Sequence, residues 1–323
     1  MKKNILLFTI IAFLLNCSND DTNISVNVGN LFIGDAILTT QGEINTFAAQ
    51  EYSGIVGSLV IGNPDEASNI TDISTLNTLD YVSLSIVIQN TNLVSLNGLE
   101  NINREPDFEI RIENNLLLEN VDALSNIPGE DISITISNNS SLISLLGLEG
   151  ITGVSFRLRI INNPELLSLE GLNSIEFANG IEIIDNSSLV SLSGLDQLNS
   201  LRSASIRNNS SLESLNGLQN LISAPFSLNI INNDILNDLT ALSNLSSEID
   251  FLNISNNEAL DNLNGLENVE FFNHSIFISE NSSLSDFCAI QTPLSNRSPN
   301  NTNISNNTFN PTVQDIIDGN CSQ

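Results

Sequence analysis

The sequence predicts a mainly β protein: a right-handed parallel β-solenoid of about ten coils of ~24 residues, with short capping helices at its ends. Three observations carry that expectation. One phrase recurs: NNSSLISLLGL at residues 138–148 has relatives NNPELLSLEGL from 162, DNSSLVSLSGL from 185, NNSSLESLNGL from 208, NNDILNDLTAL from 232 and NNEALDNLNGL from 256. Its marker asparagines are regularly spaced. Asn115, Asn139, Asn163, Asn186, Asn209, Asn233, Asn257 and Asn281 stand 24, 24, 23, 23, 24, 24 and 24 residues apart. An alternating segment precedes each marker, as in FEIRIEN, ISITISN and FRLRIIN. Alternation at period two makes a strand with one buried face. A strand and its short return cannot bury that face alone, so the unit makes sense only as a stack. Parallel strands about 4.8 Å apart would then build a sheet on the order of 45 Å long.

Composition agrees. Of 323 residues, 41% are hydrophobic but only 5% aromatic, with no Trp and one Met, so Leu and Ile must fill the core. The net charge is −29, and the only lysines are Lys2 and Lys3. Nucleic acid and anionic membrane surfaces repel such a body, because phosphate binding needs a basic patch. Nucleic acid is therefore not an expected partner.

The segments follow in order. Residues 1–16, MKKNILLFTIIAFLLN, have the lysines and apolar run of a secretory signal. LLNC, ending at Cys17, resembles the lipobox of bacterial lipoproteins, which implies that Cys17 carries the lipid. Ser18, Asn19, Asp20 and Asp21 resemble the acidic export signal that sends lipoproteins of Bacteroidetes to the outer face of the outer membrane. No later segment is long and apolar enough to span a bilayer, so the lipid would be the membrane anchor. Residues 17–34 are then the export signal and tether. Residues 35–62 are expected to hold an N-terminal cap and the first strand. Thr40 and Glu43 have capping-box spacing, and Ile44, Phe47 and Ala48 share a helical face over about residues 40–50.

Residues 63–287 form the repeat array, with looser copies around Asn63 and Asn90 and a divergent one at Asn307. Asn suits the left-handed turn after each strand and can bond backbone groups the turn leaves unpaired. Stacked coil on coil, the markers would form a ladder. The pattern I-x-I-x-x-N-x-x-L-x-x-L-x-G-L resembles leucine-rich repeats, and more closely the receptor L-domain repeats of bacterial surface proteins. It also resembles the ectodomains of certain fungal cell-wall proteins. Those carry a hydrophobic C-terminal tail, whereas DGNCSQ is polar, which favours the bacterial resemblance. It implies binding of proteins or glycans.

Residues 288–323 are the expected C-terminal cap. NPTVQDIIDG reads as Asn310 N-cap, Pro311 at the first helical position, a helix over about 311–318, and Gly319 as the stop. With Cys17 lipidated, Cys288 and Cys321 remain to pair in an oxidising compartment.

Chemistry is sparse. His274 is the only histidine, placed where a strand begins, and reads as a loop or strand-edge residue. Glu109 and Glu113 share a strand face, but Arg111 between them points to ion pairing rather than acid–base work. No phosphate loop, zinc pattern or calcium repeat is present, and no cofactor is expected. The outward sheet face is the more informative feature. Residues two, four and six before each marker point away from the core. These columns collect Arg111, Arg157, Arg159 and Arg207, with Ile161, Ile184, Ile231, Phe251 and Phe277 beside them. Cross-strand pairing would account for Arg111 and Arg159 but leaves Arg157 and Arg207 without a partner. The expected function is a surface-anchored, non-enzymatic binding or adhesion module for an extracellular glycan or protein. A carbohydrate-active β-helix enzyme and a passive surface spacer are the alternatives.

Overall fold

The computed structural model describes residues 29–296 and 301–323. The signal segment, Cys17 and the run Ser18, Asn19, Asp20 and Asp21 lie outside the described residues. The rest is a mainly β, parallel β-solenoid of about eleven coils. Its main sheet has 13 strands. From Ala36–Leu38 through Ser58–Ile61, Ser85–Gln89 and Phe108–Glu113 to Glu270–Ser279 and Asn301–Ser305, strands of successive coils pair in parallel. A second sheet of 4 short strands, Leu31–Ile33, Gly54–Val56, Tyr81–Val82 and Asn103–Arg104, belongs to the first coils.

The array outruns the repeat count at its N-terminal end. Ala36–Leu38 lies in the segment expected to hold the cap and first strand, and already pairs with Ser58–Ile61 as a coil of its own. At the other end Asn301–Ser305, the strand of the divergent copy expected at Asn307, is the last.

Each coil is filled by stacked columns. In one coil Ile134, Ile136, Leu142, Leu145, Leu148, Ile151 and Val154 are all fully buried. β-Branched Ile suits the strand and Leu the return, and each such side chain contributes about 1.5–3 kcal/mol through burial. The Gly before the last return leucine is required by closeness. A Cβ on Gly171, Gly194 or Gly217 would sit 2.0–2.1 Å from a carbonyl oxygen of the preceding coil, at φ of +110° to +116°. Where that Gly is absent, Asp122–Leu124 and Thr240–Leu242 make a single 3-10 turn instead.

The two asparagines of each pair have separate tasks. The first takes the left-handed turn: Asn114, Asn138, Asn162, Asn208, Asn232 and Asn256 all have φ between 53° and 59°. The second is buried. Asn115, Asn139, Asn163, Asn186, Asn209, Asn233, Asn257 and Asn281 are 0% exposed. Asn139 is representative: its Oδ1 accepts the Asn115 backbone N–H at 3.0 Å, and its Nδ2 donates to the Ile112 carbonyl at 3.0 Å. The ladder starts at Thr91, whose N–H and hydroxyl donate to Asn115 Oδ1. Thr91, not the expected Asn90, holds the ladder position there; Asn90 is the left-handed residue, with φ 53°. Asn63 stays outside the ladder and accepts from the Asp65 N–H. At the far end Asn307 joins, and its N–H donates to Asn310 Oδ1 at 2.9 Å.

Both helical caps use a capping box. At the N-terminus the helix Gln41–Ala48 has Thr40 as N-cap with Glu43 reaching back, and Ile44 and Phe47 are buried. The C-terminal helix, Val313–Ile317, is shorter than expected, and its N-cap is Thr312 rather than Asn310. The Thr312 hydroxyl accepts the Asp315 N–H, while Asn310 is occupied in closing the ladder. Gly319, at φ +86°, follows as the stop. A further helix, Gln291–Asn296, precedes the last strand. Cys288 and Cys321 are bonded, with Cα atoms 4.9 Å apart. Closing that loop contributes about 3–4 kcal/mol in the chain-entropy picture. His274 falls within the strand Glu270–Ser279, not where it begins.

Candidate contact surface on the outer sheet face

Parallel register aligns the outward residues into rows. The row nearest the markers runs Glu113, Ser137, Ile161, Ile184, Arg207, Ile231 across successive strands. The next runs Arg111, Thr135, Arg159, Glu182, Ser205, Asn229, Asn253, Phe277. Eight strands at about 4.8 Å make the face roughly 34 Å long between Arg111 and Phe277.

The expected contact residues fall into three places. Arg111 stands at one end and pairs with Glu109 on its own strand, Nη2 to Oε1 3.0 Å. Phe251 and Phe277 lie toward the other end on neighbouring strands, ring centroids 5.5 Å apart. Arg157, Arg159, Ile161, Ile184, Arg207 and Ile231 gather between them.

Two expectations are corrected here. Arg157 has a partner: its Nη1 lies 2.9 Å from Glu182 Oε1, while Arg159 Nε lies 2.9 Å from Glu182 Oε2. Glu182 is directly beside Arg159 in register, and the longer reach from Arg157 is a diagonal that an arginine can span. Ile161, Ile184 and Ile231 are half-buried rather than exposed, because strands packed on both sides cover their flanks. Arg207 is as expected. It is exposed and forms no ion pair among the described residues. Register places it between Ile184 and Ile231.

A recess at the corner of the sheet was not anticipated, although its cause lies in the step count. Markers Asn163, Asn186 and Asn209 are 23 residues apart rather than 24. The missing residue comes from the corner joining return to strand. Three residues bridge Val154 to Leu158 and Ala224 to Leu228; only two bridge Ala178 to Ile181 and Leu201 to Ala204. The strands Phe177–Ile184 and Ser200–Arg207 therefore run through the corner unbroken. Phe156 and Phe226, each 52% exposed, stand out on either side. The recess is an open depression of about 530 Å³ between Ser155 and Pro225, over Phe177, Asn179, Ser200 and Arg202. Gly153 makes room for the Phe177 ring, whose Cε1 is 2.3 Å from where a Cβ would be. A smaller trough of about 100 Å³ lies next to it on the sheet face, lined by Gly180, Ser203 and Ser205 together with the paired Arg157 and Glu182. The Arg202 guanidinium sits 5.2 Å from the Phe226 ring centroid.

Among the described residues, no group of three or more His, Cys, Asp or Glu side chains converges to hold a metal ion, and no helix is long and apolar enough to cross a membrane. No family model, curated protein or solved structure matches the chain.

Proposed function

We propose that this chain is a lipid-anchored binding module on the outer surface of a bacterial cell. The lipid on Cys17 holds it to the outer membrane, and Ser18, Asn19, Asp20 and Asp21 direct it outward. The solenoid presents its sheet face to an extracellular glycan or protein without catalysing a reaction. The repeat pattern's resemblance to receptor L-domains supports this reading. Its principal support is Arg207: an exposed cation with no ion-pair partner among the described residues, set between two isoleucines. On a chain of net charge −29, a free cation in an apolar setting is suited to contact with an anionic or amphipathic partner.

Anchoring is tested by protease shaving of intact cells. Wild type should release the solenoid into the medium, and Cys17→Ser should leave the membrane fraction. A Cys17→Ser protein that stays membrane-bound, or a wild type that shaving spares, would contradict the anchor or the outward orientation respectively.

A further inference from the structure

The corner recess has a composition unlike the rest of the molecule. The chain carries 38 acidic and 9 basic residues, yet the recess is lined by Arg202 and by no carboxylate. A concavity that excludes the prevailing charge and holds the scarce one concentrates anions. Its volume of about 530 Å³ lies within the range of small-ligand sites, about 300–1,000 Å³.

The polar groups there are also uncommitted. The side chains of Asn179, Ser200 and Ser223 in the recess, and of Ser203, Ser205 and Ser227 in the adjoining trough, form no hydrogen bond with the described protein, whereas the marker asparagines are bonded between coils. An aromatic ring completes the lining, Phe177; the half-exposed Phe156 and Phe226 adjoin the lining residues Ser155 and Pro225 in the chain, and Arg202 rests on the Phe226 ring.

Backbone geometry decides between two classes of extended ligand. A peptide strand docks by main-chain hydrogen bonds to an open sheet edge. Here the floor strands Phe177–Ile184 and Ser200–Arg207 are interior, paired with each other and with the strands on either side. The recess offers side chains only: hydroxyls, an amide, one guanidinium and ring faces. That set matches the hydroxyls, carboxylate and C–H faces of an acidic sugar. Two coils at about 4.8 Å each make a channel roughly 10 Å wide, enough for a single chain of sugar rings.

We propose that the recess between Phe156 and Phe226 binds a chain of carboxylate-bearing sugars, with Arg202 taking a carboxylate and the adjoining trough, where Ser203, Ser205 and Ser227 stand beside a Glu182 carboxylate neutralised by Arg157 and Arg159, receiving the next ring. This rests on the reading of the chain as a binding module and names a ligand class for it, at a site beside the Arg207 face.

The test is calorimetric titration of the full chain with galacturonate, mannuronate and guluronate oligosaccharides, each alongside its methyl ester. At least one acid form should bind, and its ester should bind about tenfold or more weakly, since a charge-assisted hydrogen bond is lost. Arg202→Ser should weaken the acid form about tenfold or more while leaving any ester binding unchanged. Inserting one residue between Asn179 and Gly180 restores the 24-residue step; it should abolish binding while the unfolding midpoint stays near that of wild type. Should that insertion fail to fold, Ser200→Trp fills the same space. Binding of no uronate, or equal binding by wild type and Arg202→Ser, would overturn the proposal. So would capture of an acidic peptide such as polyglutamate in preference to every sugar. An Arg207-dependent interaction elsewhere would leave the binding-module reading standing in each of these cases.

Discussion

Adjacent asparagines in this chain are not equivalent. Asn208 holds the turn at φ 58°, and its amide donates to Asp185 at the surface. Asn209 is buried and takes the Asn186 N–H on its Oδ1 at 3.1 Å. Asn209→Ala leaves that N–H and the Ile183 carbonyl, which Asn209 Nδ2 serves, unpaired in the interior. It should destabilise by about 1–3 kcal/mol or more. Asn208→Gly keeps the left-handed turn accessible and should change stability by only a few tenths of a kcal/mol, roughly. Denaturant unfolding of the two variants checks the contrast; equal losses would contradict the division of labour. The pair itself was legible as turn plus ladder. Its ends were not. Thr91 and Asn310 complete the ladder through atoms that no marker spacing specifies, because a hydroxyl or an amide from a loop can stand in for the missing coil. Arg157 was misjudged for a related reason: cross-strand pairs are readable from register, but a diagonal reach to Glu182 depends on where the side chain lies.

At the scale of elements, both capping boxes place a carboxylate under threonine donors. Glu43 is held below its ordinary value, first by the Thr39 hydroxyl and then by the Thr39 N–H. Asp315 is likewise lowered, first by the Thr312 hydroxyl. A carboxylate with a depressed folded-state pKa adds stability above its unfolded value and loses that contribution as pH falls through the folded one. Acidification should therefore loosen the caps before the middle coils, whose ladder is built from neutral amides. Hydrogen exchange is expected to show falling protection at Thr39, Thr40 and Thr312 once pH drops below the ordinary carboxylate range. The amides of Asn186 and Asn209 should stay protected. Simultaneous loss at caps and ladder would mean that the array opens as one unit. The N-terminal box was readable from Thr40 and Glu43. At the C-terminus Asn310 and Pro311 imitate a helix start, whereas Thr312 and Asp315 supply the capping box.

For the whole molecule, the solenoid was legible because one period runs through eight markers, and each coil is meaningful only beside its neighbours. The corner recess was harder to see. It follows from two steps of 23 among steps of 24, a difference that acquires meaning only once the coils are stacked and the corners compared. The outward face was legible as a set of columns, yet its pairing was not: of Arg111, Arg157, Arg159 and Arg207, Arg207 is the one without an ion pair among the described residues. Under the proposed function this face meets an extracellular partner. The direct measurement is binding of the labelled full chain to a glycan and protein array, wild type beside Arg207→Ser, with thermal unfolding of both. Wild type should bind at least one class of ligand, Arg207→Ser should bind it about tenfold more weakly, and the unfolding midpoints should coincide. An array that wild type leaves empty, or a variant that binds as well as wild type but unfolds earlier, would contradict the account.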